Sequence, residues 1–223
     1  MTVNMFITGG RSGQVMFFAA ITILVFQYFH KAKIKALMAI CILLPGIFFS
    51  AYQFSDLFKL RFDSAIEDVI KYDRGVRLTN QQQHKDFTLD HSYMNTPVGE
   101  RITFAIYSWI IIKRNLIIGV GTGDFPSEYK KINYIYSKKM TNTTHPHNMY
   151  HLILVQLGFV GFISLLSIFY YQIKLSFNSP NRFIRDVGIA MPLLFLVIML
   201  ADSYLLGHYT TLMFVLFSSF LYK

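Results

Sequence analysis

The sequence predicts an all-α polytopic membrane protein, with about five transmembrane helices and one large, partly helical external loop. Three observations lead there. Of 223 residues, 53% are hydrophobic and 17% aromatic, and the mean hydropathy is positive, which is too apolar for an ordinary soluble domain. Several runs approach the roughly 20 apolar residues that cross a hydrocarbon core. The connections between some of these runs are short and basic, as cytoplasmic loops are.

The expected spans are 14–30, 34–52, 148–172, 187–204 and 207–222. The first follows Arg11 and could be read as a signal peptide. It lacks a small-residue cleavage site and is succeeded at once by a second apolar run, so it is expected to be retained. The last two are short and require tilt, local thinning or burial in a bundle. Cys41 is the single cysteine and lies inside the second span, so it carries no information about redox compartment. Lys31, Lys33 and Lys35 crowd the first connection, and Lys174, Arg182 and Arg185 the connection between the third and fourth spans. Both are placed in the cytoplasm, since lysine and arginine beside a span resist translocation. The N-terminal segment, the loop 53–147 and the turn near Gly207 then face outside. The net charge of +9 is partly this topology signal and partly a mildly basic external loop suited to anionic headgroups or a phosphate-bearing substrate. Nucleic acid is excluded as a partner on that side. An odd number of spans with an external N-terminus leads us to expect further helices upstream of Met1. No internal repeat marks the chain as half of a duplicated transporter.

The external loop reads as folded. "LFKLRFDSAIEDVIKYDR" (57–74) spaces Phe62, Ile66, Val69 and Ile70 as an amphipathic surface helix. Gly75 to Ser92, polar and containing "TNQQQHKD", is expected to be a mobile excursion. In "TPVGERITFAIYSWIIIKRN", Thr96 is the expected N-cap, Pro97 the first helical residue and Glu100 the first-turn acid. Its apolar run is too short to span and fits an interfacial or re-entrant helix, with Trp109 at headgroup depth. "NLIIGVGTGDFPSEY" is punctuated by glycine, and "YKKINYIYSKK" is basic and aromatic.

"TGGRSGQ" before the first span, "ERITFAIYSWIIIKRNLIIGVGTGDF" in the loop and "HPHNMYHLILVQLGFVGF" opening the third span resemble, in order and spacing, the C-terminal half of the O-antigen ligase superfamily, which also includes O-antigen polymerases and protein O-oligosaccharyltransferases. The resemblance covers nearly all of the chain, 1–223 then being a single membrane domain with 53–147 as its periplasmic loop. Relatives are usually longer, with an additional N-terminal set of helices that this chain lacks.

The resemblance implies a GT-C-like glycosyltransferase in the bacterial inner membrane, its active site facing the periplasm. Such an enzyme moves a glycan from undecaprenyl diphosphate to an acceptor hydroxyl, lipid A-core for a ligase, in lipopolysaccharide or surface polysaccharide biosynthesis. It implies no cofactor and no metal. Outside the cytoplasm there is no nucleotide sugar, so the donor carries its own diphosphate leaving group, whose departing charge suits arginine's planar fork. Carried over by motif, Arg11 and Arg101 become diphosphate ligands and His147 the base that takes the acceptor's proton. Imidazoles as a class titrate near neutrality, as that task requires. Asn148, Gly121 and Gly123 are expected at the substrate, the glycines as a backbone nest for phosphate or as a plain turn.

Other readings stand beside these. Arg11 serves equally as a snorkelling interfacial anchor, and Arg101 as a partner of Glu100. His147 and His151, at i, i+4, are expected to share a helical face, and with His145 they form an HxHxxxH pattern that zinc could use. Gly158 and Gly161 suit close helix packing. Asp202 and His208, ionisable at a span's end, either border the site or pair with each other. Asn142-Thr143-Thr144 matches a glycosylation sequon. The alternative functions are a surface polysaccharide polymerase, an inactive truncated remnant and a lipid-linked glycan transporter.

Overall fold

Helices carry the described part of the chain, with no strand among the described residues. The computed structural model describes residues 11–82, 92–136 and 142–222. The helices are α1 (Arg11–Tyr28), α2 (Lys33–Phe54), α3 (Asp56–Gln82), α4 (Pro97–Arg114), α5 (Phe125–Tyr136), α6 (Met149–Phe177), α7 (Arg182–Ile198) and α8 (His208–Leu221), with short 3₁₀ turns at Ser92–Asn95 and Tyr204–Leu206. They fall into two compact units, 1–59 with 163–223 and 60–162, and α6 runs from one to the other.

In the first unit α1 lies against α2 and α7. Gln27 Nε2 donates to the carbonyl of Asp186 at 2.6 Å, while the Asp186 carboxylate faces Arg182 and Arg185 at 3.5 and 3.7 Å. Gly188 of α7 leaves room for Ser176, whose Oγ would stand 2.3 Å from an added Cβ, and its carbonyl accepts from the Tyr222 hydroxyl at 2.8 Å. Gln172 Nε2 donates to Ser218 Oγ at 3.0 Å, and Phe214 sits against both Phe169 and Phe195. Interhelical hydrogen bonds and small-residue contacts of this kind hold helices together where burial of apolar surface adds little.

Two helices, α2 and α6, are long and apolar enough to cross a membrane; Gly13–Tyr28 within α1 and His208–Leu221 are apolar but shorter. The expected fourth span, 187–204, is shifted. Asn181 Oδ1 accepts from the N–H groups of Phe183 and Ile184 at 2.9 and 3.3 Å, which starts α7 at Arg182, and the chain leaves the helix after Ile198 for the 3₁₀ turn. The third span begins as expected but continues to Phe177.

The second unit is built around α4. Thr96 Oγ1 accepts from Gly99 N at 3.0 Å and Pro97 opens the helix, as the sequence predicts. Phe104, Tyr107, Ile111 and Ile112 pack with Phe125, Tyr129 and Ile132 of α5, and Leu152 and Val155 of α6 are buried as well. Burial pushes the Tyr107 phenol up to about 12, helped by neighbouring Tyr72, Tyr93 and Tyr136. Burial first, then Tyr107 and Glu100, raises Tyr129 as well, so this aromatic core is uncharged across the physiological range. The polar excursion expected from Gly75 is corrected at its start. α3 continues through Gly75 to Gln82, because the glycine is where the Tyr93 ring rests: an added Cβ would meet that ring at 2.3 Å, and Tyr93 in turn packs edge-on against Tyr72. Residues 83–91 of that stretch lie outside the described residues.

Candidate active site

Local chemistry fixes the shape of residues 142–148, which lead into α6. Asn142 Oδ1 accepts from Asn133 Nδ2 at 3.1 Å, tying this stretch to α5. That bond engages the side-chain oxygen of the sequon's asparagine. The Thr143 hydroxyl donates to the carbonyl of His145 at 2.8 Å, and the ring of the following Pro146, itself buried, disfavours a helical backbone at His145. His147 then takes a left-handed conformation with φ of 50°, the one non-glycine residue with positive φ among the described residues. For an L-residue this costs about 1–2 kcal/mol, and such strain persists where surrounding structure holds it, often at functional sites.

The surroundings that hold it are identifiable. The His147 ring stacks on Phe104 of α4, centroids 5.9 Å apart and planes 20° from parallel. It also meets His145 edge-on, centroids 4.3 Å apart. After it, Asn148 Oδ1 accepts from His151 N at 3.1 Å and the Asn148 carbonyl accepts from Leu152 N, so Asn148 caps α6. Arg101 lies three residues before Phe104 on α4 and is exposed, one turn from the ring that supports His147. His147, Arg101 and Asn148 thus belong to the second unit; Arg11 is the first residue of α1, in the first unit. Asp202 accepts from Ser203 N at 2.7 Å, and His208 is the exposed first residue of α8.

The shared helical face of His147 and His151 is corrected. α6 begins at Met149, so His147 precedes the helix and its positive φ turns it away from helical register. The i, i+4 relation that a helical zinc pair needs is absent.

The glycine loop performs a task the sequence does not display. At Gly158, φ 62°, α6 is interrupted. In an unbroken helix the N–H groups of Phe159 and Val160 would donate to the carbonyls of Val155 and Gln156. Here they donate to Leu116 and Ile117 at 2.9 and 3.2 Å, while the carbonyls of Val155 and Gln156 accept from Val120 and Gly121 at 2.8 and 3.0 Å. These four backbone groups at the break are paired with the turn that follows α4, and such pairing is the condition for tolerating a break in an apolar setting. Two glycines permit the approach. A Cβ on Gly158 would lie 2.3 Å from the Ile117 oxygen, and one on Gly119, φ 71°, would lie 2.4 Å from the carbonyl carbon of Gln156. The expectation that Gly158 packs helix on helix is therefore replaced: it meets a turn. The nest reading is narrowed too, since the Gly121 N–H is engaged by Gln156. Gly123, φ 87°, has open space around it.

Phe104 was not singled out by the sequence, although its spacing from Arg101 in "ERITF" is the signal that places it beside the site. The partnership of Gly119 and Gly158 has no local signal, being set by pairing across some forty residues of chain.

An all-helical chain with two membrane-length apolar helices, and a strained histidine at the mouth of one of them, defines a membrane protein with a candidate site at a helix entrance. The family model for O-antigen ligase matches residues 1–166, and the chain belongs to that family. Its members are membrane-embedded, glycosyltransferase-like ligases and polymerases that join lipid-linked glycans to polysaccharide acceptors in lipopolysaccharide biosynthesis. The match includes the whole second unit. No curated protein matches the chain.

Proposed function

We propose that the chain acts as an O-antigen ligase-like glycosyltransferase at the periplasmic face of the bacterial inner membrane, moving a glycan from undecaprenyl diphosphate to a hydroxyl of lipid A-core. The observation that carries this reading is the strained His147, its ring stacked on Phe104, which lies one turn along α4 from the exposed Arg101. His147 takes the proton of the acceptor hydroxyl as its oxygen attacks the anomeric carbon, and the bond to the donor's diphosphate breaks. Arg101, with Arg11 as a second ligand, stabilises the departing diphosphate. Asn148 acts on this chemistry through position, holding α6's first turn and hence the backbone at His147.

Arg101→Ala is expected to abolish transfer in membranes where the wild-type chain supports it, and Arg101→Lys to recover little. Lysine keeps the charge but loses the bidentate fork. Full rescue by lysine would mean that Arg101 acts as a charge at a distance, not as a diphosphate ligand. The compartment is tested separately. A reporter active only in the periplasm is expected to work when fused near Lys130 and to fail near Asn178, by the asymmetry of the short basic loops. The reverse pattern would put the histidines in the cytoplasm and end the reading.

A further inference from the structure

We infer that the turn joining α4 to the glycine loop is a shallow membrane anchor, inserting Ile117 and Ile118 into the lipid and presenting Lys113 and Arg114 to anionic headgroups. This inference is independent of the catalytic reading.

The argument begins with α6. Before Leu157 the helix buries Met149, Leu152 and Val155, whereas from Leu157 to Phe177 large apolar side chains stand exposed on the faces that the buried Phe169, Gln172 and Ser176 leave free. That stretch, at 1.5 Å per residue, is about 30 Å long, the thickness of a hydrocarbon core. The lipid boundary on this helix therefore lies near Leu157. Phe159 and Val160 donate to the carbonyls of Leu116 and Ile117, so the backbone of the turn is fixed to α6 just beyond that boundary. The side chains there are Leu116, Ile117 and Ile118, respectively 46%, 69% and 74% exposed. Three consecutive exposed apolar residues are out of place in water and in keeping with lipid.

The residues preceding the turn complete the pattern. Lys113 and Arg114, the last two of α4, are exposed and make no ion pair among the described residues. One turn earlier Trp109, half exposed, lies with its ring 5.8 Å from Lys113 Nζ. An apolar tip backed by cations and an indole supplies the side chains that suit the hydrocarbon edge and the headgroup level of a bilayer. A protein partner would offer no reason for this set to coincide with the lipid boundary on α6.

Trp109 is the chain's single tryptophan, which supplies the probe. The full chain, either wild type or Trp109→Phe with Ile118→Trp, is reconstituted in phosphatidylcholine–phosphatidylglycerol vesicles carrying acyl chains brominated at shallow or deep positions. The indole at 118 is expected to be quenched more by shallow than by deep bromines. In the wild type, brominated phosphatidylglycerol should quench Trp109 several-fold more than brominated phosphatidylcholine, a preference that Lys113→Ala with Arg114→Ala removes. An indole at 118 with water-exposed emission and no quenching by either lipid overturns the anchor, as does stronger quenching by deep bromines. Equal quenching of wild-type Trp109 by the two headgroups overturns the anionic contact. Unquenched emission that shifts with protein density would assign the turn to a second copy instead. Ile118→Trp replaces one exposed apolar side chain by another, and retained helical circular dichroism confirms that the fold is intact.

Discussion

His147→Ala lowers glycan transfer about 10²- to 10⁴-fold, the usual contribution of a positioned general base, while the protein remains inserted and abundant. The expectation comes from the proposed role of the His147 ring, which contacts both Phe104 and His145. Alanine has no group to take a proton, and it leaves the left-handed backbone cost in place. His147→Gly separates the two effects, because glycine adopts that backbone freely: activity should stay lost while thermal stability equals or exceeds that of the alanine variant. His145→Ala and His151→Ala should be milder, the first removing an edge contact to the base and the second a helical residue whose backbone, not its ring, receives the Asn148 cap. Chelator should leave transfer unchanged. Normal transfer by His147→Ala sinks the base assignment, and equal loss in all three variants together with chelator sensitivity replaces it by a metal.

Gly158→Ala is the second large effect, expected on stability. A Cβ there would sit 2.3 Å from the Ile117 oxygen, against backbone that has no freedom to move aside, at a φ of 62° that a side chain disfavours. Losing a share of the four cross-pairings, at about 0.5–1.5 kcal/mol each, and adding roughly 1–3 kcal/mol of backbone strain, places the loss at about 3–5 kcal/mol. Gly119→Ala should match it, because its Cβ would strike the facing backbone of Gln156 and Leu157. Gly123→Ala should cost only the conformational strain, about 1–2 kcal/mol, since nothing stands within 4 Å of its Cβ. The check is the unfolding midpoint in a fixed detergent. If Gly158→Ala melts with the wild type, α6 can straighten and release the turn.

These contrasts show where the sequence was readable. Thr96, Pro97 and Glu100 announce α4 within one turn, and the fold obeys them, because capping is chemistry among near neighbours. The apolar runs place α1, α2, α6 and α8 closely enough to be found by length and composition, although α1 and α8 are shorter than a span. Gly75 misled, since a glycine that would end a helix in isolation here makes room for Tyr93, a contact that no local rule contains. His147 was found by resemblance and placed by a helical rule that its positive φ breaks. The break at Gly158 was invisible for the same reason as the pairing that heals it: both sides had to be known at once.

That pairing bears on how the protein is made. Four backbone groups of α6 lack intrahelical partners, and in hydrocarbon each would cost several kcal/mol unsatisfied. Their partners, Leu116, Ile117, Val120 and Gly121, precede α6 in the chain and so leave the ribosome first. Synthesis from the N-terminus delivers the turn before the helix that needs it. The stretch around Gly158 is therefore expected to enter the membrane as a joint product with a segment already synthesised, and α6 expressed alone is expected to insert less efficiently than its hydropathy alone would indicate.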